Sequence, residues 1–142
     1  MSASTVSVPA PAAAPAGPRR TLTVLRVLAV LHSVCIVVQP MLAGMYLGGD
    51  VDALDLHELN ASVVSGLGVV QLGAAIAYVW KGRGRTWPLW ASLGLVLAEQ
   101  VQTGLGYENV VAIHVPLGVS VVAMQILLTV WLFRASARRS RS

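Results

Sequence analysis

Residues 58–106 read ELNASVVSGLGVVQLGAAIAYVW, then KGRGR, then TWPLWASLGLVLAEQVQTGLG: two apolar runs around a short, triply positive loop. A hydrocarbon core of about 30 Å takes roughly 20 helical residues to cross. Inside it only helices or closed barrels satisfy every backbone N–H and C=O. The stretch therefore predicts two spans, 58–80 and 87–106. Lys81, Arg83 and Arg85 hold their turn in the cytoplasm by the positive-inside rule.

Working outward, two further apolar runs cover 21–47 and 109–133. The first follows Arg19-Arg20 and greatly exceeds the roughly 7–15 residues of a signal-peptide apolar region, so it reads as a retained span. Residues 1–20 form an Ala/Pro-rich tail that cannot build a core and is expected to be disordered. Residues 21–134 then make a four-helix transmembrane domain, and 135–142 a basic tail. The expected class is all-α: a membrane-spanning four-helix bundle with both termini cytoplasmic.

Composition agrees. Hydrophobic residues are 56% and charged residues 11% of the 142, against roughly 25% charged in a soluble domain. Mean hydropathy is +0.71. The net charge of +4 does not describe a nucleic-acid surface, because all ten basic residues fall in three clusters. These are Arg19, Arg20 and Arg26; Lys81, Arg83 and Arg85; and Arg134, Arg138, Arg139 and Arg141. No basic groove interleaved with aromatics lies between them. Five of the six acids, Asp50, Asp52, Asp55, Glu58 and Glu108, fall in the opposite loops or beside them. The bias to Arg, Ala, Val, Leu and Gly points to a bacterium with a GC-rich genome, hence a multi-pass protein of the bacterial cytoplasmic membrane.

Aromatic residues fit the same frame. Tyr78, Trp80, Trp87, Trp90, Trp131 and Phe133 mark the cytoplasmic interface, Tyr46 and Tyr107 the outer one. Thr86 before Trp87-Pro88 predicts an N-cap with proline in the first turn. Pro40 and Pro116 lie inside spans and are expected to loosen them. Cys35 is the single cysteine, which rules out an intramolecular disulfide.

Polar residues at membrane depth are costly and concentrate at interior faces or functional sites. They recur at helical spacing: His32, Cys35 and Gln39; His57, Asn60, Gly68 and Gln71; Ser92, Glu99 and Gln102; His114, Gly118 and Gln125. A stripe of this kind can simply glue helices together. Counting rise from the helix ends puts Glu99 roughly 10 Å, and His32 roughly 22 Å, below the outer surface. On that count Glu99, Gln102, Asn60 and Gln39 make an outer polar cluster, with Glu99 bonded to Gln102 or His114. The two hairpins also echo each other: Gln39, Gly44, Tyr46, then His57; Gln102, Gly106, Tyr107, then His114. The repeat makes His57 and His114 equivalent about a pseudo-twofold axis. Two such imidazoles can approach one haem b iron from opposite faces, with Gly118 leaving room for the macrocycle. His32 is too deep to join them, and zinc would require more convergent ligands.

The run Gln102, Gly104, Gly106, Val111, His114 and Leu117 resembles the third-to-fourth helix region of one half of the haem A synthase family. That family has two four-helix halves, each with a histidine on its second and fourth helices. The resemblance implies His57 and His114 as haem ligands. The chain departs from the family pattern where Glu58 and Leu59 follow His57, in lacking paired outer-loop cysteines, and in having one half, which a homodimer could complete.

Glu99 is the one acid deep in a span, suited to relaying a proton or holding a cation. The Asp50, Asp52, Asp55 loop lacks calcium-loop spacing and is expected to cap the second helix. No phosphate loop, His-Glu-x-x-His pair or serine elbow is present, so no catalytic residue is assigned and an enzyme is not expected. The readings are a b-type haem or electron-transfer module, a non-catalytic membrane subunit or assembly partner, and a minimal dimeric proton-coupled transporter. Lipid, a second copy or a membrane complex are the expected partners.

Overall fold

The computed structural model describes residues 18–141. It is all-helical, and no strand occurs among those residues: α1 is Arg19–Leu47, α2 Asp52–Trp80, α3 Trp87–Tyr107 and α4 Val111–Leu132. A short 3₁₀ turn, Ala135–Arg138, closes the chain. The expected N-terminal tail, apart from its last three residues, lies outside the described residues, and Arg19 and Arg20 already belong to α1.

Each helix packs against its neighbours in ring order, α1 on α2 and α4, α3 on α2 and α4. Helices α2 and α4 thus face each other across a diagonal. Helices α1, α2 and α4 are long and apolar enough to cross a membrane. The sequence reading had four such spans, and α3 does not meet the criterion among the described residues. Its 21 residues suffice in length, but Ser92, Glu99, Gln100, Gln102 and Thr103 dilute its apolar content. The side of α3 facing its partners buries Ser92, Leu95 and Glu99.

Helix ends follow local chemistry. Gly49, at φ +102°, and Asn109, at φ 56°, take the left-handed turns that stop α1 and α3, conformations that glycine and asparagine tolerate best. Helix α2 begins at Asp52, six residues before the expected Glu58, with Asp52 and Asp55 in its first turn. There they complement the helix dipole, yet no side chain caps the helix. Thr86 stands at the N-cap of α3 with a proline in the first turn, as expected, but its side chain makes no capping bond because its own backbone is already helical.

All three basic segments meet at one end. Gly82 lies against Pro18 and Thr21, where a Cβ would collide. Arg141 N–H donates to Arg83 O at 2.8 Å. The Tyr78 hydroxyl donates to Ala137 O at 2.9 Å and accepts from Arg85 N–H at 3.3 Å, while Gly84 lies on the Tyr78 ring. The segment expected as a basic tail is therefore partly folded back, with Ala137 fully buried. Arg26 Nε donates to Leu132 O at 2.8 Å, and its guanidinium lies 4.9 Å from the Phe133 ring centre. Trp87 and Trp131 meet edge to face at 4.8 Å.

The apolar core is concentrated toward this basic end: Leu25, Tyr78, Leu128 and Leu132 are fully buried. Toward the acidic end packing opens. No residue of α1 beyond Ile36, of α3 beyond Glu99, or of α4 before Val121 is buried.

Candidate functional site

Two polar assemblies occupy the interior. The outer one sits in the open half and is built twice. In the first hairpin, His57 Nδ1 lies 3.2 Å from Gln39 O. With its amide nitrogen turned to the His57 carbonyl, Gln39 donates to it at 3.1 Å and accepts from Ala61 N–H at 3.2 Å. In the second, His114 Nδ1 lies 3.0 Å from Gln102 O, and Gln102 Nε2 donates to His114 O at 2.8 Å. Glutamine and histidine clasp each other reciprocally in both.

A backbone carbonyl only accepts, so Nδ1 carries the hydrogen in both imidazoles. That leaves the Nε2 lone pair of each ring as the free ligating position, the arrangement by which carbonyls orient metal-binding histidines. Neither Nε2 makes a hydrogen bond within the described residues. The two ring centres stand 6.3 Å apart at an interplanar angle of 53°. Asn60 donates to Cys35 O at 2.8 Å, one turn along α2 from His57. At the rim, the Tyr107 hydroxyl donates to Glu58 Oε1.

Gly118 borders Gln102. A Cβ there would lie 2.7 Å from Gln102 Nε2, so the glycine admits the Gln102 amide to the His114 carbonyl. Gly106 similarly borders the His114 ring, where a Cβ would be 3.1 Å from Cε1.

The second assembly is an oblique ladder with one rung from each helix. Gln125 Nε2 donates to Ala29 O at 3.0 Å and to Gln71 Oε1 at 2.9 Å, and Gln71 Nε2 returns a bond to Gln125 Oε1 at 3.1 Å. Gln71 Oε1 also faces His32 Nδ1 at 3.3 Å. His32 Nε2 lies 3.1 Å from Glu99 Oε1, with both side chains buried. Ser33 and Thr129 hydroxyls, 2.8 Å apart, flank the Gln125 end.

Glu99 thus pairs with His32, not with Gln102 or His114. The sequence count assumed level helix ends; His32 stands farther from the end of α1 than Glu99 does from the end of α3, yet the two meet, so those ends are not level. Gln39, Asn60 and Gln102 stay with the outer histidines. The Glu99 carboxylate leans against Gly68, where any Cβ would collide with Oε2. Among the described residues no group of three or more His, Cys, Asp or Glu could hold a metal ion by itself.

Sequence reasoning placed Gln71 and Gln125 on interior stripes without joining them to His32. Their signal was there: each is a lone amide in an otherwise apolar turn, and such amides in a membrane seek each other. Comparison with family models, with curated proteins and with solved structures finds no match for this chain.

Proposed function

We propose that the chain is a membrane-spanning four-helix bundle whose outer half binds one haem b between His57 and His114, serving as a small electron-transfer module. Helix α3 is the fourth span, its polar side covered by the other three helices and its exposed side, with Leu97 and Val101, turned to lipid. Both termini and the KGRGR loop lie in the cytoplasm, following the separation of basic and acidic ends.

The observation that carries the haem reading is the pair of clasped, tautomer-fixed imidazoles facing across the diagonal. Two rings on one iron, each with a nitrogen–metal bond of about 2.0–2.1 Å as in metal–imidazole sites, have centres roughly 6 Å apart, close to the 6.3 Å observed. Both imidazoles lie in the half where few side chains are buried. The motif-level resemblance to a haem A synthase half assigns the same two residues. A bound haem supplies reversible one-electron chemistry; the chain supplies two oriented ligands and a low-dielectric surround.

An absorption spectrum of the detergent-purified protein, oxidised and dithionite-reduced, tests this. A Soret peak with sharp reduced α and β bands is expected, lost in His57→Ala and in His114→Ala. Retention of the full bis-histidine spectrum by either variant refutes the assignment. A colourless preparation from haem-supplemented cells favours the second reading, a non-catalytic membrane subunit whose polar residues only join helices. The mutual bonding of Gln71 and Gln125 supports that role for those two amides.

A further inference from the structure

The ladder has a direction that fixes protons. The Ala29 carbonyl can only accept, so it sets the Gln125 amide nitrogen toward itself. Gln125 then sets Gln71, whose oxygen faces His32. His32 Nδ1 must therefore donate, and its Nε2 is presented to Glu99 Oε1 at 3.1 Å, off the line of an N–H bond but within ion-pair reach.

Between those two atoms one proton gives a pair with no net charge, either as imidazolium and carboxylate or as imidazole and carboxylic acid. Removing it leaves one net charge, a carboxylate beside a neutral imidazole, which in a buried site calls for water as a solvating partner. Among the described residues, the groups shown against the pair, Gln71 and Gly68 on α2, do not ionise, and Gln125 on α4 reaches it only through Gln71. The nearest ionisable groups along the packed helices are Arg26 and Cys35 on α1, His57 and Tyr78 on α2, and His114 on α4; α3 carries no other between Trp87 and Tyr107.

A second observation gives the pair an access route. Both Glu99 oxygens, Ser92 Oγ and Gln102 Oε1 are buried without a hydrogen-bond partner. All three residues lie on the inner face of α3, with Gln102 about 4.5 Å along the axis from Glu99 toward the open end. The Glu99 and Gln102 oxygens can accept, no donor among the described residues bonds them, and water is the donor that satisfies them.

We propose that His32 and Glu99 form a buried proton-binding site, filled and emptied through water along the inner face of α3 past Gln102. Loading forms one N–H or O–H bond at His32 Nε2 or Glu99 and consumes one proton from outer-side water; unloading reverses it. The site does not rest on the haem reading.

Infrared spectra of the full chain in H₂O and D₂O, combined with NMR of ¹⁵N-histidine-labelled protein, test it without haem. Only three imidazoles need assignment. As pH is varied, the His32 signals and the Glu99 carboxyl absorption are expected to change together. Glu99→Gln removes the carboxyl change and moves the His32 step. If that variant fails to fold, Glu99→Asp, which keeps the acid on a shorter arm, is expected to displace the coupled step instead. Gln102→Leu is expected to keep the coupled step and lose its rapid exchange with solvent deuterium. An unmoved His32 signal in Glu99→Gln, or absence of any step at both groups in the unmodified chain, overturns the site. Undiminished exchange in Gln102→Leu overturns the route.

Discussion

Gln102 shows how much a single residue can organise through its backbone and side chain together. Its carbonyl fixes the His114 tautomer, its amide nitrogen ties down the His114 carbonyl, and Gly118 makes the approach possible. Gly118→Ala is therefore expected to displace the amide and cost about 1–2 kcal/mol, the value of a buried hydrogen bond left unmade. The effect is expected to vanish in a Gln102→Ala background, and a thermal-unfolding double-mutant cycle in detergent measures this non-additivity. Gly68→Ala is expected to push the Glu99 carboxylate from His32 and destabilise the protein by roughly 1–3 kcal/mol through overpacking. The outer clasps were half legible in sequence, because the repeated order of Gln, Gly, Tyr and His marks equivalent positions. The partner of Glu99 was not, since contact between α1 and α3 depends on how far each helix runs past the shared level.

Among the elements, the KGRGR loop and the last turn depend on one another through Tyr78. Its hydroxyl holds the 3₁₀ turn at Ala137 and the loop at Arg85, and Gly84 is small enough to lie on its ring. Tyr78→Phe keeps the ring and removes both bonds. We expect a loss of about 1 kcal/mol and faster proteolysis of the segment from Ala135 onward, read by mass of the trimmed product. The charge of the loop, and the side of the membrane expected from it, are legible in sequence, but a basic run says nothing about docking. The basic tail gave no sign of docking because its anchors are a small alanine, Ala137, and the backbone N–H of Arg141. For α3 the opposite holds: its polar residues were visible, and their cost to its hydropathy is what separates it from the other three helices.

At the scale of the molecule, charge divides the ends. Single cysteines placed at Asp50 or Glu108 in a Cys35→Ala background are expected to react with an impermeant thiol reagent from outside intact cells. Cysteines at Arg85 or Arg138 are expected to react only after permeabilisation. The reverse pattern would invert the topology, and labelling of Glu108 from inside would remove α3 as a span. Charge segregation made the expected orientation readable because basic residues are excluded from the far side. The gradient from a tight basic end to an open acidic end was not, since it arises from packing between helices distant in sequence.

The clasp at the basic end has a consequence in time. Arg26 precedes its acceptor, Leu132 O, by 106 positions, and Tyr78 precedes Ala137 by 59. With synthesis at about 5–20 residues per second, each donor is made several seconds before the carbonyl that answers it. The clasp therefore closes late, only once α4 and the turn after it have been made.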